Sequence, residues 1–414
     1  MSEETSTTDE PPADRPTDER RAGDGLARLL DPRRLPLRYH VGIVGLVVLA
    51  LIPFGVPAIW MLKITGALYL GMFAMSWDVV SGYTGEISFG HALFFTIGGY
   101  TSTLLNLEMG IDPLVSIPIG MVLAAVAGVL IGVPALRLHG PYLSLITLIA
   151  PLILMQVFIF YSDIFGGEIG LDSPAPVVDF DEYLFDIVAN YYIALALFVF
   201  ILGVLLAVTR SNAGAVFTAI REDPDAVSAS GINPAKFKIF AFVLSGALGG
   251  LAGATFVHSP VGGPQPSQLL NLVVSIEVII ASVLGGMGTI VGAAIGGMFF
   301  FLFSDYLDGV EAGIPFTDLA VSDASFLVFA VIALGILYFA PGGMLRWALF
   351  GGEWIRERSG GDEVATDGGE RVGDARAPSE RSDGGRASDT PLERAAEKYR
   401  TAFRSFGHGG DDDE

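Results

Sequence analysis

Side chains able to do covalent chemistry are sparse in this 414-residue chain, and their spacing fits none of the common catalytic constellations. There is no cysteine, so neither a disulfide framework nor a thiolate metal site is available. A Walker A phosphate loop ends in Gly-Lys-Ser/Thr, whereas Lys63, Lys236, Lys238 and Lys398 follow Leu62, Ala235, Phe237 and Glu397. His40, His91, His139, His258 and His408 form no His-Glu-x-x-His pair, and no serine has glycine two residues away on both sides. No catalytic, cofactor-binding or metal-binding residues are expected, and the chain reads as a non-enzyme.

What remains is the chemistry of isolated polar groups in apolar surroundings. Glu277 sits in an apolar run with no nearby cation. A charge at mid-bilayer costs about 2.5–3.5 kcal/mol on insertion scales, so such residues are candidates for a translocation pathway. Its carboxylate could attract an ammonium group or hold a gating contact; a hydrogen-bonded or protonated tether between helices is the competing reading. Ser88, His91 and Thr96 could likewise hydrogen-bond a substrate, although small polar residues in membrane helices also tie neighbours together. Lys63 lies close to a segment end and is expected to snorkel.

The elements that must position these groups are apolar. Between Val41 and Gly351 the only cations are Lys63, Arg137, Arg210, Arg221, Lys236, Lys238 and Arg346. Membrane helices are expected near 39–58, 59–81, 87–107, 113–136, 141–162, 187–209, 236–257, 269–284, 289–304 and 323–341, most reaching the roughly 20 residues that cross a bilayer. The fold class is therefore all-α and polytopic, with about ten crossings. The eighth and ninth are short, split by Gly285-Gly286-Met287-Gly288, and read as a short pair or a broken, re-entrant element.

The cations set orientation. With a cytoplasmic N-terminus and ten crossings, every one of them except Lys63 falls inside. The opposite loops hold fourteen acids and no base, from Glu108 and Asp112 through Asp163–Asp186 to Asp305–Asp323. The net charge of −21 excludes a nucleic-acid binder, whose affinity would rest on Lys and Arg. Scarce lysine with abundant Asp suits a halophilic source, where salt screens self-repulsion. Residues 1–37 are polar and read as a disordered tail, 38–351 as the membrane domain, and 352–414 as a second acidic tail. Within that tail Leu392, Ala395, Ala396, Tyr399, Phe403 and Phe406 recur at helical spacing, which predicts a short amphipathic helix over 392–406.

The longest stretch between helices on the cation-bearing side runs from Arg210 to Lys236. Ala215–Arg221 has helical character, Pro224 suits a helix first turn, and Gly231 suits the stop. Two short helices across the membrane face are predicted, either as a docking surface or as a solvated connector. Gly98-Gly99, Gly249-Gly250, Gly253 and Gly296-Gly297 are read as sites of close helix packing.

This stretch resembles the cytoplasmic coupling region of the M-type permeases of branched-chain amino-acid ABC transporters. The resemblance continues through Lys238-Ile-Phe-Ala-Phe-Val-Leu-Ser-Gly-Ala-Leu-Gly-Gly-Leu-Ala-Gly253. Its most specific portion is Gly82-Tyr-Thr-Gly-Glu-Ile-Ser-Phe-Gly-His-Ala-Leu-Phe-Phe-Thr-Ile-Gly-Gly-Tyr-Thr101. It recurs at Leu136–Leu143, Gly166–Leu171, Val283–Gly288 and Pro341–Met344, and departs from the pattern at Phe165, Ala215 and Ala293. The resemblance implies an importer subunit in the cytoplasmic membrane, with both termini cytoplasmic, for branched-chain or other hydrophobic amino acids. It would pair with an H-type permease, two cytoplasmic ATPase subunits and an extracytoplasmic binding protein. Ile220, Arg221, Glu222, Asp223, Ala226 and Gly231 would receive the ATPase motion, with Arg221 and Glu222 able to pair with charges on the ATPase. A permease for urea or short amides, and an ATPase-independent carrier or channel, are the alternatives.

Overall fold

The computed structural model describes residues 37–135, 141–311, 322–339 and 342–346. The predicted tails therefore lie outside the described residues, except Leu37, as do the helix over 392–406 and the Leu136–Gly140 part of one motif. The chain begins with α1 (Leu37–Leu51), α2 (Ala58–Thr84), α3 (His91–Met109), α4 (Pro113–Ala135), α5 (Pro141–Phe160) and the single turn α6 (Ser162–Phe165). Then come α7 (Tyr183–Thr209), the short α8 (Asn212–Glu222) and α9 (Pro224–Ala229), and α10 (Pro234–Val257). The last are α11 (Pro266–Leu269), α12 (Leu272–Gly285), α13 (Ile290–Asp308) and α14 (Ser325–Phe339). No strand occurs among the described residues, so the all-α polytopic architecture holds.

Among the described residues, seven helical spans are long and apolar enough to cross a bilayer: α2, α4, α5, α7, α10, α11 with α12, and α13. The apolar α1 and α14 are 15 residues each. Helix α3 has 19 residues but carries Thr96, Thr101, Ser102, Thr103 and Asn106. Each of the ten expected segments coincides with one of these helices. Local chemistry sets the boundaries. Pro53 and Gly55 end the first apolar run early, and Pro57, extended at φ −60° and ψ 154°, starts α2. The eighth segment is broken, with Pro266 and Asn271 opening its two pieces. The ninth is longer than expected, because Asp305 finds Lys63 Nζ at 2.6 Å and need not end the helix. Lys63 is thus held by an ion pair.

Helices α2 and α10 form the centre. The first packs against α7, α10, α12 and α13, burying Tyr69, Phe73 and Trp77; the second packs against α2, α3 and α4. Backbones meet directly at the α3–α10 seam. A Cβ on Gly98 would stand 2.0 Å from the Gly250 carbonyl oxygen, and one on Gly253 would stand 2.0 Å from that of Phe95. Around this centre, α4, α5 and α14 leave Leu130, Ile153 and Leu334 exposed, as suits lipid-facing helices.

Candidate functional site

The predicted pair of short helices is present at one end of the bundle. Gly214 permits the sharp entry into α8, since a Cβ there would lie 1.9 Å from the Thr209 carbonyl oxygen. Ser211 Oγ caps α8 by accepting from Ala213 N–H (3.2 Å). Asp223 Oδ1 caps α9 by accepting from the Asp225 and Ala226 N–H groups (3.0 and 2.9 Å), and Pro224 fills the first turn. Gly231, at φ 87°, turns the chain out. Gly214, Phe217 and Ile220 are buried on one face of α8, with the Phe217 ring against Phe237 and Phe240 of α10. Of the predicted coupling residues, Ile220 anchors α8 to the bundle, while Arg221, Glu222, Asp223, Ala226 and Gly231 are exposed.

Arg221 is committed within the chain. Its Nε and Nη2 donate to Glu222 Oε1 (3.3 and 3.0 Å), and its Nη1 donates to the Gly82 carbonyl (2.8 Å) at the end of α2. That contact places α8 on the first of two adjacent helix breaks. The first, residues 85–90 between α2 and α3, opens with Gly85 at φ 77°. It is clamped by the Lys238–Glu86 ion pair from α10. Ser144 Oγ of α5 donates to the Ile87 carbonyl (2.7 Å), and Thr147 Oγ1 accepts from Phe89 N–H (3.1 Å). The second break, between α12 and α13, contains Gly286 and Gly288 at φ 124° and 79°. There the Gly288 N–H donates to Asp78 Oδ1 of α2 (2.7 Å).

Ser88, His91 and Thr96 are fully buried around the first break. The Ser88 carbonyl accepts from Trp77 Nε1 (2.7 Å), and its hydroxyl accepts from Gly90 N–H (3.3 Å). Thr96 Oγ1 donates to the Ala92 carbonyl of its own helix (2.7 Å). His91 Nε2 lies 2.6 Å from Ser245 Oγ, which donates to the Ser76 carbonyl (2.5 Å). With the hydroxyl proton so used, Nε2 is the donor, and the imidazole ties α3 to α10 and α2.

Glu277 is placed differently. It lines a cavity of about 320 Å³ between α2, α10, α12 and α13, toward the end opposite α8. Tyr69, Phe73, Phe95, Phe256, Phe300 and Phe301 form its apolar wall. Glu277, Gln268, Ser304, Asp305 and Asp308 supply its polar groups. Such a surface can take an apolar body together with a cationic head. Ser88, His91 and Thr96 do not line this cavity.

At that opposite end His258 closes α10. Its Nδ1 faces the Ala175 carbonyl (2.5 Å) and its Nε2 faces Ser102 Oγ (2.7 Å). Burial holds this imidazole below its usual pKa, against the opposing pull of the Ala175 carbonyl and the Asp112 charge. Sequence reasoning missed Asp78, Ser245 and the Lys238–Glu86 link. Asp78 carried a signal of the same kind as Glu277, an acid inside a predicted span without a neighbouring cation.

The family model described as branched-chain amino acid transport system / permease component matches residues 62–340. The high-affinity branched-chain amino acid transport system permease protein LivM of Escherichia coli (strain K12) is 32% identical over 235 residues, 51% of this chain and 55% of that protein. The probable branched-chain amino acid transport permease proteins LivM and LivH of Methanocaldococcus jannaschii also match. LivM is 24% identical, covering 67% of this chain and 91% of its own length. LivH is 27% identical, covering 63% and 83%. The chain thus spans about half the length of the Escherichia coli relative. No solved structure matches.

Proposed function

The chain belongs to the branched-chain amino acid transport system permease family, and from that premise we propose that it is the membrane-spanning subunit of an ATP-driven amino-acid importer. The observation that carries this reading is the exposed, capped α8–α9 pair at the end of the bundle where Arg210, Arg221, Lys236 and Lys238 gather. On this reading that end is cytoplasmic, consistent with the positive-inside rule, and the protein sits in the cytoplasmic membrane. Arg221, Glu222, Asp223, Ala226 and Gly231 present the surface that an ATPase subunit meets, with Ile220 behind them. An H-type permease completes the membrane portion, two ATPase subunits hydrolyse ATP, and an external binding protein delivers substrate. The chain itself carries no Walker A lysine, which fits that division of labour.

The cavity beside Glu277 is the segment of the route that this subunit supplies. Its carboxylates suit an ammonium group and its rings a branched or otherwise hydrophobic side chain. His91 serves the route by tying α3 to α10 and α2, and Ser88 by tying the first break to α2, whereas Thr96 bonds only within α3.

The test is reconstitution with the three partner types and the double substitution Arg221→Ala and Glu222→Ala. ATPase activity stimulated by loaded binding protein is expected to fall about tenfold, since charged contacts at a docking surface set register more than affinity. Undiminished stimulation would overturn the docking assignment. Uptake by this chain alone would make it a carrier or channel, and uptake of urea in place of leucine would change the substrate.

A further inference from the structure

Asp78 is wholly buried on α2, about two turns before that helix ends at Thr84. A buried carboxylate is costly in a membrane protein, and packing alone would be served as well by an apolar side chain. What Asp78 does is hold another part of the chain. Its Oδ1 accepts from the Gly288 N–H at 2.7 Å, a contact spanning 210 residues, while Oδ2 finds no hydrogen-bond partner among the described residues. Thr289 Oγ1 and Thr289 N–H donate to the Gly286 carbonyl, and Gly286 N–H to the Ser282 carbonyl, all within the break and the end of α12. One turn after Asp78, the Gly82 carbonyl accepts from Arg221 Nη1.

These two contacts belong to one cluster. A Cβ on Gly82 would lie 2.1 Å from Asp78 Oδ1 and 2.5 Å from the Gly288 nitrogen, and a Cβ on Gly288 would lie 2.8 Å from Arg221 Nη1. The α2 end, the α12–α13 break and α8 therefore touch at a point where no side chain fits between them. We propose that Asp78 is a positioning residue that transmits displacement of α8 to the α12–α13 break. Arg221 grips α2 at Gly82, Asp78 grips the break at Gly288, and the last turns of α2 move as the lever between them. The break begins about two turns after Glu277 on the same helix, so its movement shifts the residue that α12 presents to the cavity.

This inference rests on the docking role proposed for α8–α9, and the experiment separates the two. The chain has no cysteine, so single cysteines can be introduced directly. Met287, 49% exposed within the break, is replaced by cysteine and labelled with an environment-sensitive fluorophore in the reconstituted complex. In a parallel sample, Ala226→Cys reports docking by cross-linking to the ATPase. ATP is expected to change the signal at position 287. Asp78→Ala should abolish that change, whereas Asp78→Asn, which retains an acceptor for Gly288, should preserve most of it, and both should keep the Ala226 cross-link. A full ATP-dependent change in Asp78→Ala overturns the lever. Absence of any Ala226 cross-link in the parent complex overturns the docking role itself.

Discussion

At the scale of single residues, the polar side chains inside the bundle separate by where their hydrogen bonds go. Thr96 spends its hydroxyl on its own helix, and His91 spends its proton on Ser245, so both groups serve packing. Glu277 instead faces a cavity that also holds Asp305 and Asp308. The difference is measurable as uptake of labelled amino acid in proteoliposomes. Glu277→Gln, which keeps size and removes charge, is expected to raise KM severalfold. Thr96→Val, which deletes a hydroxyl bonded only within its helix, should leave uptake within about threefold, because even side-chain hydrogen bonds between membrane helices average only about 0.6 kcal/mol. Equal losses in the two variants would count against assigning Glu277 to the route.

Among the elements, α8 and α9 are too short to be stable on propensity, and their caps and buried face keep them formed. Asp223 caps α9 while its own N–H closes α8 on the Ala219 carbonyl. Asp223→Ala should cost about 1 kcal/mol locally and raise amide exchange across residues 224–229, leaving α10 protected. The α3–α10 seam is the contrasting case, built on backbone contact. Gly98→Ala would push a methyl group into the Gly250 carbonyl. Overpacking of this kind costs about 1–3 kcal/mol, so the variant should melt at lower temperature in detergent. An unchanged melting temperature would mean that the seam relaxes freely.

For the whole molecule, the end opposite α8 carries a pH dependence. Burial lowers the His258 pKa, so between its folded and unfolded pKa values the unfolded chain binds a proton that the folded chain refuses. Stability is therefore fully present above about pH 6.5 and declines as pH falls below it. Melting temperature should drop between about pH 7 and pH 5, and His258→Gln should flatten that slope. An identical slope in the variant would remove His258 as the cause. The two ends thus differ in kind. One gathers cations, caps and the paired helix breaks, and the other gathers carboxylates, the cavity and a buried imidazole.

The apolar runs and the punctuation between them determined a great deal by themselves. Length and hydropathy specify membrane helices because a bilayer admits few alternatives. Pro224, Asp223 and Gly231 specify α8 and α9 because caps and stops act within a few residues. The family motifs likewise lie along contiguous stretches. What sequence left open was which polar group meets which, since these meetings cross large separations: Asp78 with Gly288, Arg221 with Gly82, Lys63 with Asp305 and Lys238 with Glu86. Arg221 and Glu222 read as charges awaiting a partner protein, and folding pairs them with each other and with a helix end. Glu277 and His91 looked alike as polar residues in apolar runs. Only tertiary packing decided that one faces a cavity and the other is enclosed, because helix rotation and the neighbours on each face are set by the assembled bundle.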